Sequence, residues 1–275
     1  MKTIIVTGAN SGIGKEATLI LAEAGHRVLM LCRDSEKSAR VFEEIVARTG
    51  NESVSLIPVD LSSGDSIRAA ALDIKSRHSA IDVLVNNAGV YVPKREETAD
   101  GIEMNFAVNY LAPFLLSHLL LTTLEASGNG RIINVVSALY EKGVVDLEDL
   151  MSERSYKVGR AYAGSKMACV LFTIELARRT QKRGVTVNAL HPGVLATGMM
   201  RHYPAIVAKL FGLMLEKAER GGERIAALAT SEAVQGVSGT YFFKSETRAL
   251  KISDRESGKS EALWRASEEL TGMLD

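Results

Sequence analysis

The stretch Ile4-Ile5-Val6-Thr7-Gly8-Ala9-Asn10-Ser11-Gly12-Ile13-Gly14 sets a β-branched run against a glycine-rich turn, and apolar residues at helical spacing follow over Gly14–Ala24. Strand, glycine turn and helix in that order form a place where main chain can approach a phosphate at the positive end of a helix dipole. The glycines are spaced Gly-x-x-x-Gly-x-Gly and the Gly-Lys-Ser/Thr ending of a P-loop is absent, so a dinucleotide fits better than an ATPase site. Read alone, the same glycines are also compatible with a simple tight turn.

Working outward, the pattern repeats. Ile4–Thr7, Arg27–Cys32, Val54–Val59, Val83–Asn86, Arg131–Ser137, Val185–Leu190 and Thr240–Phe243 read as strands, nearly continuously apolar as strands covered on both faces are. Gly14–Ala24, Glu36–Arg48, Ser66–Arg77, Phe106–Glu125, Tyr162–Arg183 and Ala218–Ser231 read as helices, with Asp65 and Ser66 as caps of the third. Strand alternating with helix predicts an α/β fold of Rossmann type: a doubly wound, mostly seven-stranded parallel sheet with helices on both faces. No linker or repeat divides the chain, so residues 1–275 form a single domain. A long charged segment at about 138–161 reads as an insertion, and the polar stretch beyond Lys244 has no clear pattern.

Lys plus Arg and Asp plus Glu are both 33, giving no field that would gather nucleic acid. The apolar stretch Leu111–Leu124 is interrupted by Pro113, Ser117 and His118, and the start of the chain has no signal pattern, so a cytoplasmic protein without a membrane anchor is expected. Cys32 and Cys169 lie in apolar surroundings and read as two buried thiols; no cluster has metal-ligand spacing, and no metal is expected.

The second strand ends Cys32-Arg33-Asp34. In dinucleotide folds an acidic residue there takes the adenosine 2′-hydroxyl, and a basic one accommodates a 2′-phosphate. Cys32 is a poor acceptor, whereas Arg33 and Lys37 could clamp an anion, which favours NADP(H) over NAD(H). Solvated charges at a strand end are the plainer alternative. Further on, Tyr162 and Lys166 are four residues apart and share a helix face. An ammonium beside a phenol favours the phenolate. Ser137 ends the fifth strand, where ligands bind in open α/β sheets, and Asn109 lies in the preceding helix.

Together these residues resemble the short-chain dehydrogenase/reductase family, over roughly residues 2–245. The motifs are Thr7–Gly14, Asp60-Leu61, Asn86-Asn87-Ala88-Gly89, Asn109, Ser137, Tyr162 with Lys166, and Pro192-Gly193-x-x-x-Thr197. Cys32-Arg33-Asp34, Tyr156 before Arg160-Ala161-Tyr162, and His191-Pro192-Gly193-Val194 look like its retinol-dehydrogenase-like branch, which also carries an insertion matched by Ala138–Ala161. The resemblance implies a catalytic tetrad of Asn109, Ser137, Tyr162 and Lys166. Gly8, Asn10, Ser11, Gly12, Ile13 and Gly14 would form the pyrophosphate turn, Asp60 and Leu61 would meet the adenine, and Asn86, Ala88 and Gly89 would follow the adenosine ribose. Lys166 would bind the nicotinamide ribose, Asn109 would hold a proton-relaying water, and Pro192, Gly193, Val194 and Thr197 would hold the carboxamide side. Asn86 could instead bridge strands, and Pro192-Gly193 could simply end one.

A substrate lid is implied at about 195–217, where Met199, Met200, Phe211, Leu213, Met214 and Leu215 suit a lipophilic aldehyde, ketone or alcohol. Packing on the core or at a subunit interface explains that segment equally. Homodimers or homotetramers are usual in the family. The competing functional class is a nucleotide-sensing, non-catalytic protein on the same fold, which would be expected to lose tetrad residues; here all four are present.

Overall fold

The computed structural model describes residues 1–193 and 216–273. Eight strands form one sheet: β1 (Thr3–Thr7), β2 (Arg27–Cys32), β3 (Val54–Pro58), β4 (Val83–Asn86), β5 (Gly130–Val135), β6 (Val185–His191), β7 (Tyr241–Phe243) and β8 (Glu246–Arg248). Their order is β3-β2-β1-β4-β5-β6-β7-β8. The seven expected strands are parallel, and β8 pairs antiparallel with β7. The expected count of seven is thus one short. β8 is three exposed residues, Glu-Thr-Arg, and such a short, charged edge strand lacks an apolar signature.

Strand order reverses between β1 and β4, which opens a crevice at the carboxyl ends of the strands. Alternate residues of each strand enter opposite cores. Ile4, Val6, Val28 and Met30 face α1 (Gly12–Glu23), α2 (Glu36–Thr49) and a later helix, α8 (Ala218–Thr230). Ile5, Leu29 and Leu31 face α3 (Gly64–Arg77) and the helices that follow β4 and β5.

Several boundaries differ from the sequence reading. The cap of α3 is Ser63, whose Oγ accepts from the Ser66 N–H, and not Asp65 or Ser66. Phe106–Glu125 is not one helix. It divides into α4 (Met104–Phe106), a π turn (Ala107–Leu111), α5 (Ala112–Leu119) and α6 (Leu121–Glu125). Pro113 has no N–H for the Asn109 carbonyl one turn back, and the Ala112 N–H bonds Ala107, five residues away, so the turn widens there. The long helix after the insertion, α7, runs Val158–Thr180, starting a turn earlier than expected.

The polar stretch beyond Lys244 supplies part of the core. After α9 (Asp254–Ser257), α10 (Ser260–Leu270) buries Leu263 and Trp264. The Trp264 ring meets Phe114 of α5 edge-on at 5.1 Å, and the Arg179 guanidinium of α7 stacks over it at 4.0 Å. Tyr110 and Ser267 share a buried hydrogen bond of 2.6 Å. Among the described residues no helix is long and apolar enough to cross a membrane.

At the end of β6, His191 is buried and its Nδ1 accepts the Ala138 N–H at 3.3 Å, holding the chain just beyond Ser137. Burial, reinforced by the charges of Lys244 and Arg224, pushes the imidazole down from 6.5 to about 4. The unfolded chain therefore takes up this proton first. The stability His191 contributes is complete above pH 6.5 and is lost as pH falls toward about 4, by at most about 1.4 kcal/mol per pH unit. His191→Asn, which keeps an acceptor without the titrating ring, should flatten that slope in urea titrations between pH 7 and pH 4.5, roughly the window set by this linkage. Trp264→Ala should cost about 3–5 kcal/mol in the same assay at neutral pH, because the space between α5, α7 and α10 cannot collapse.

Candidate active site

The crevice begins where β1 ends. Thr7 Oγ1 accepts the N–H groups of Asn87 at 2.9 Å and Ala88 at 3.0 Å, and Asn87 Nδ2 returns a bond of 2.8 Å to the Thr7 carbonyl. These bonds fasten the glycine turn to the segment after β4. Gly8 adopts φ +66°, and a Cβ there would stand 3.1 Å from the Ala88 Cα. A Cβ on Gly14 would be 2.4 Å from both Asn87 Nδ2 and the Gly8 carbonyl. Ser11 is the exposed N-cap of α1; its side chain makes no cap bond, and no acid lies in the first turn. The positive end of α1 is thus left for an anion, as a pyrophosphate requires. Ile13 packs partly into the core beneath.

Asn10 is turned away from the turn's mouth. Its Nδ2 donates to Ser38 Oγ at 2.8 Å, and Ser38 donates to the Arg33 carbonyl at 2.7 Å. This chain couples the glycine turn to the segment that carries the exposed Arg33 and Lys37. Asp60 Oδ1 accepts from the Ser62 N–H and hydroxyl. Burial would raise its pKa, but the Ser62 bonds and the charge of Arg33 outweigh it and hold the carboxyl below its usual value. Leu61 is partly buried against the core. Cys32 and Cys169 are free, buried thiols; burial pushes each up to about 11.

Asn86 behaves as the bridging alternative described. Its Nδ2 donates to Asn134 Oδ1 of β5 at 2.9 Å and to Ser117 Oγ at 3.2 Å, so both amide hydrogens are committed between β5 and α5. Gly89 is where the catalytic candidates converge: a Cβ there would lie 3.1 Å from Asn109 Oδ1 and 3.5 Å from Lys166 Nζ.

Tyr162 and Lys166 sit on the buried face of α7. Lys166 Nζ is 5.9 Å from the Tyr162 ring centroid and donates to the Val135 carbonyl at 3.1 Å. Burial pushes its ammonium below the usual lysine range. Ser137 follows β5 and caps a short 3-10 turn (Ala138–Lys142), accepting the Leu139 N–H at 3.3 Å. Since that bond uses a lone pair, the hydroxyl hydrogen remains to be donated. Asn109 lies in the π turn, and both its amide hydrogens are used: Oδ1 accepts the Val90 N–H at 2.7 Å, and Nδ2 donates to the Val90 carbonyl and to Ser165 Oγ, both at 3.0 Å. The relay water that the resemblance implies at Asn109 therefore has no side-chain amide hydrogen to receive it.

Pro192 and Gly193 are buried at the end of β6, with Gly193 at φ +105° and the Pro192 carbonyl accepting from Arg224 at 2.5 Å. Val194, Thr197 and the expected lid, apart from Glu216 and Lys217, lie outside the described residues. The bracing roles of Thr7 and Asn87 were visible as motif letters only; that of Ser165 had no signal, being a serine inside the Tyr-x-x-x-Lys spacing. Among the described residues there is no group of side chains suited to a metal ion.

The family model "short chain dehydrogenase" matches residues 2–205. Human retinol dehydrogenase 13 is 41% identical over 99% of this chain and 85% of its own length. Human retinol dehydrogenase 11 is 39% identical over 99% and 86%. Among solved structures, an uncharacterized protein from Mycobacterium paratuberculosis is 30% identical with a TM-score of 0.78, covering 99% of this chain and 94% of its own. A short chain dehydrogenase from Burkholderia cenocepacia in complex with NADP is 27% identical with a TM-score of 0.71, covering 88% and 95%. On the family model and these relatives, the chain belongs to the short-chain dehydrogenase family, on its retinol-dehydrogenase-like side, and is an oxidoreductase.

Proposed function

We propose that the protein interconverts a lipophilic aldehyde or ketone and its alcohol with NADP(H), Tyr162 serving as general acid and base. The observation that carries this reading is the buried Tyr162–Lys166 face of α7, set at the carboxyl ends of β4 and β5, where Lys166 Nζ reaches Gly89 and the Val135 carbonyl two residues before Ser137. The cradle fits the cofactor: Gly8 and Gly14 let the turn close against Asn87 and Ala88, the uncapped, acid-free end of α1 is open to a diphosphate, and Arg33 and Lys37 stand exposed where an adenosine 2′-phosphate would lie. Relatives and neighbours support it, since some are named as retinol dehydrogenases and others are complexes with NADP.

When bound, the nicotinamide ring gives or takes the hydride. In the reductive direction Tyr162 gives its proton to the carbonyl oxygen as negative charge builds there, and Ser137 donates its free hydroxyl hydrogen to the same oxygen. Lys166, a buried cation on the same face, favours the phenolate that remains. The Asn109 side chain fixes Val90 and Ser165, so a water relaying protons toward Lys166 would rest on the Asn109 main-chain carbonyl, to which Pro113 offers no N–H. The two free, buried thiols fit a reducing compartment, and we place the enzyme in the cytoplasm.

Tyr162→Phe should lower turnover by about 10²-fold or more while the dissociation constant for NADPH, read by fluorescence titration, stays within about three-fold. Full turnover in that variant would refute the assignment. Gly14→Ala should weaken NADPH binding at least about ten-fold, because its Cβ enters the space of Asn87 and Gly8. Arg33→Ser should raise the KM for NADPH by about ten-fold and leave that for NADH unchanged; equal effects on both would remove the case for the 2′-phosphate.

A further inference from the structure

Beside Tyr162 the segment 90–92 is held in an unusual way. The N–H and the C=O of Val90 both bond the Asn109 side chain, at 2.7 and 3.0 Å. The N–H of Val92 bonds Asn105 Oδ1 at 3.1 Å, and its carbonyl accepts from the Tyr156 hydroxyl at 2.5 Å. Four bonds from three side chains thus replace a strand partner on either side of one residue, Tyr91. The outer support is anchored in turn. Asn105 is fully buried and its Nδ2 reaches the Tyr156 hydroxyl at 2.9 Å and Glu103 Oε1 at 2.6 Å. Glu103, also buried, further accepts the Asn105 and Phe106 N–H groups. Burial, with the neighbouring charge of Glu103, pushes the Tyr156 phenol up to about 12, so it remains a donor throughout the working range. Tyr91 itself is partly buried, and its ring meets the Tyr162 ring edge-on at 5.3 Å and 62°.

A carbonyl oxygen that reaches the Tyr162 hydroxyl brings the substituents on its carbon close to whatever flanks that ring. We propose that Tyr91 is a specificity-determining residue, an aromatic wall that favours carbonyls attached to a flat π-system over saturated, puckered ones, with Asn105 and Tyr156 as positioning residues that act through it. The proposal rests on Tyr162 being the acid and base. A fixed ring offers edge-to-face or offset-stacked contact to a flat group, and only area burial to a saturated one. The rigid segment makes that preference directional, because a wall that could swing aside would accept both shapes.

The test compares benzaldehyde with cyclohexanecarbaldehyde, the same carbonyl on a flat or a puckered six-membered ring, with whichever reduced nicotinamide cofactor gives the faster turnover. Wild-type protein should have the higher kcat/KM on benzaldehyde. Tyr91→Leu should shrink the benzaldehyde-to-cyclohexanecarbaldehyde ratio about five-fold, and Tyr91→Phe should retain it. Tyr156→Phe, which removes the hydroxyl that bonds Val92 and Asn105, should move the ratio the same way by a smaller factor, chiefly through the KM for benzaldehyde. An unchanged ratio in Tyr91→Leu, a proportional loss on both aldehydes, or a wild-type preference for the puckered ring would each overturn the proposal. So would turnover of neither aldehyde by a protein active on other carbonyls. Tyr162→Phe run alongside keeps the two readings apart: full activity there sinks the acid–base assignment, whereas an inactive Tyr162→Phe with an unchanged Tyr91→Leu ratio sinks only the wall.

Discussion

The 2.8 Å bond from Asn87 Nδ2 to the Thr7 carbonyl, with the two N–H groups of Asn87 and Ala88 on the Thr7 hydroxyl, governs the carboxyl end of the sheet. It joins β1 to the segment after β4, the two strands between which the winding reverses. Everything offered to a ligand follows from that fastening. It leaves no room for a side chain at Gly14, so α1 starts close against the turn with its uncapped N–H groups outward. It also fixes the start of the segment that runs through Gly89, against Asn109 and Lys166, to the pinned residues 90–92.

The other side of the crevice depends on a buried lysine. Lys166 has one carbonyl as partner in the described geometry, and burial disfavours its charge. A group in that position responds to whatever negative charge comes near, a phenolate or a ribose oxygen. The structure keeps it there through length of helix: α7 buries most of one side over six turns, so the lysine cannot swing out to water without unpacking the core.

The sequence made the parallel sheet legible because buried strands are written as unbroken apolar runs, and made the pair Tyr162 and Lys166 legible because a four-residue spacing puts both on one helix face, whereas Asn109 and Ser137 were named through the family resemblance. It concealed what depends on side chains distant in the chain. Asn86 and Asn87 are neighbours with opposite fates, one bridging β4 to β5 within the core and the other bracing the glycine turn, and nothing local distinguishes them. The π turn at Ala107–Leu111 was signalled only by Pro113, and a single proline predicts a break more readily than a widening. β8 and α10 were missed for the reason that polar surfaces hide short elements: their buried apolar side chains are Leu263 and Trp264, and the Trp264 partners Phe114, Phe172 and Arg179 lie far upstream.

That last contact has a consequence in time. Trp264 closes the pocket between α5 and α7, so the helix bearing Tyr162 and Lys166 has its outer packing completed by residues made nearly a hundred positions later. During synthesis the sheet through β6 can assemble while α7 still exposes Phe172 and its neighbours. The face bearing Tyr162 and Lys166 therefore reaches its final rigidity only once α10 docks, which makes the interval before that docking the stage at which α7 is most exposed to misassembly.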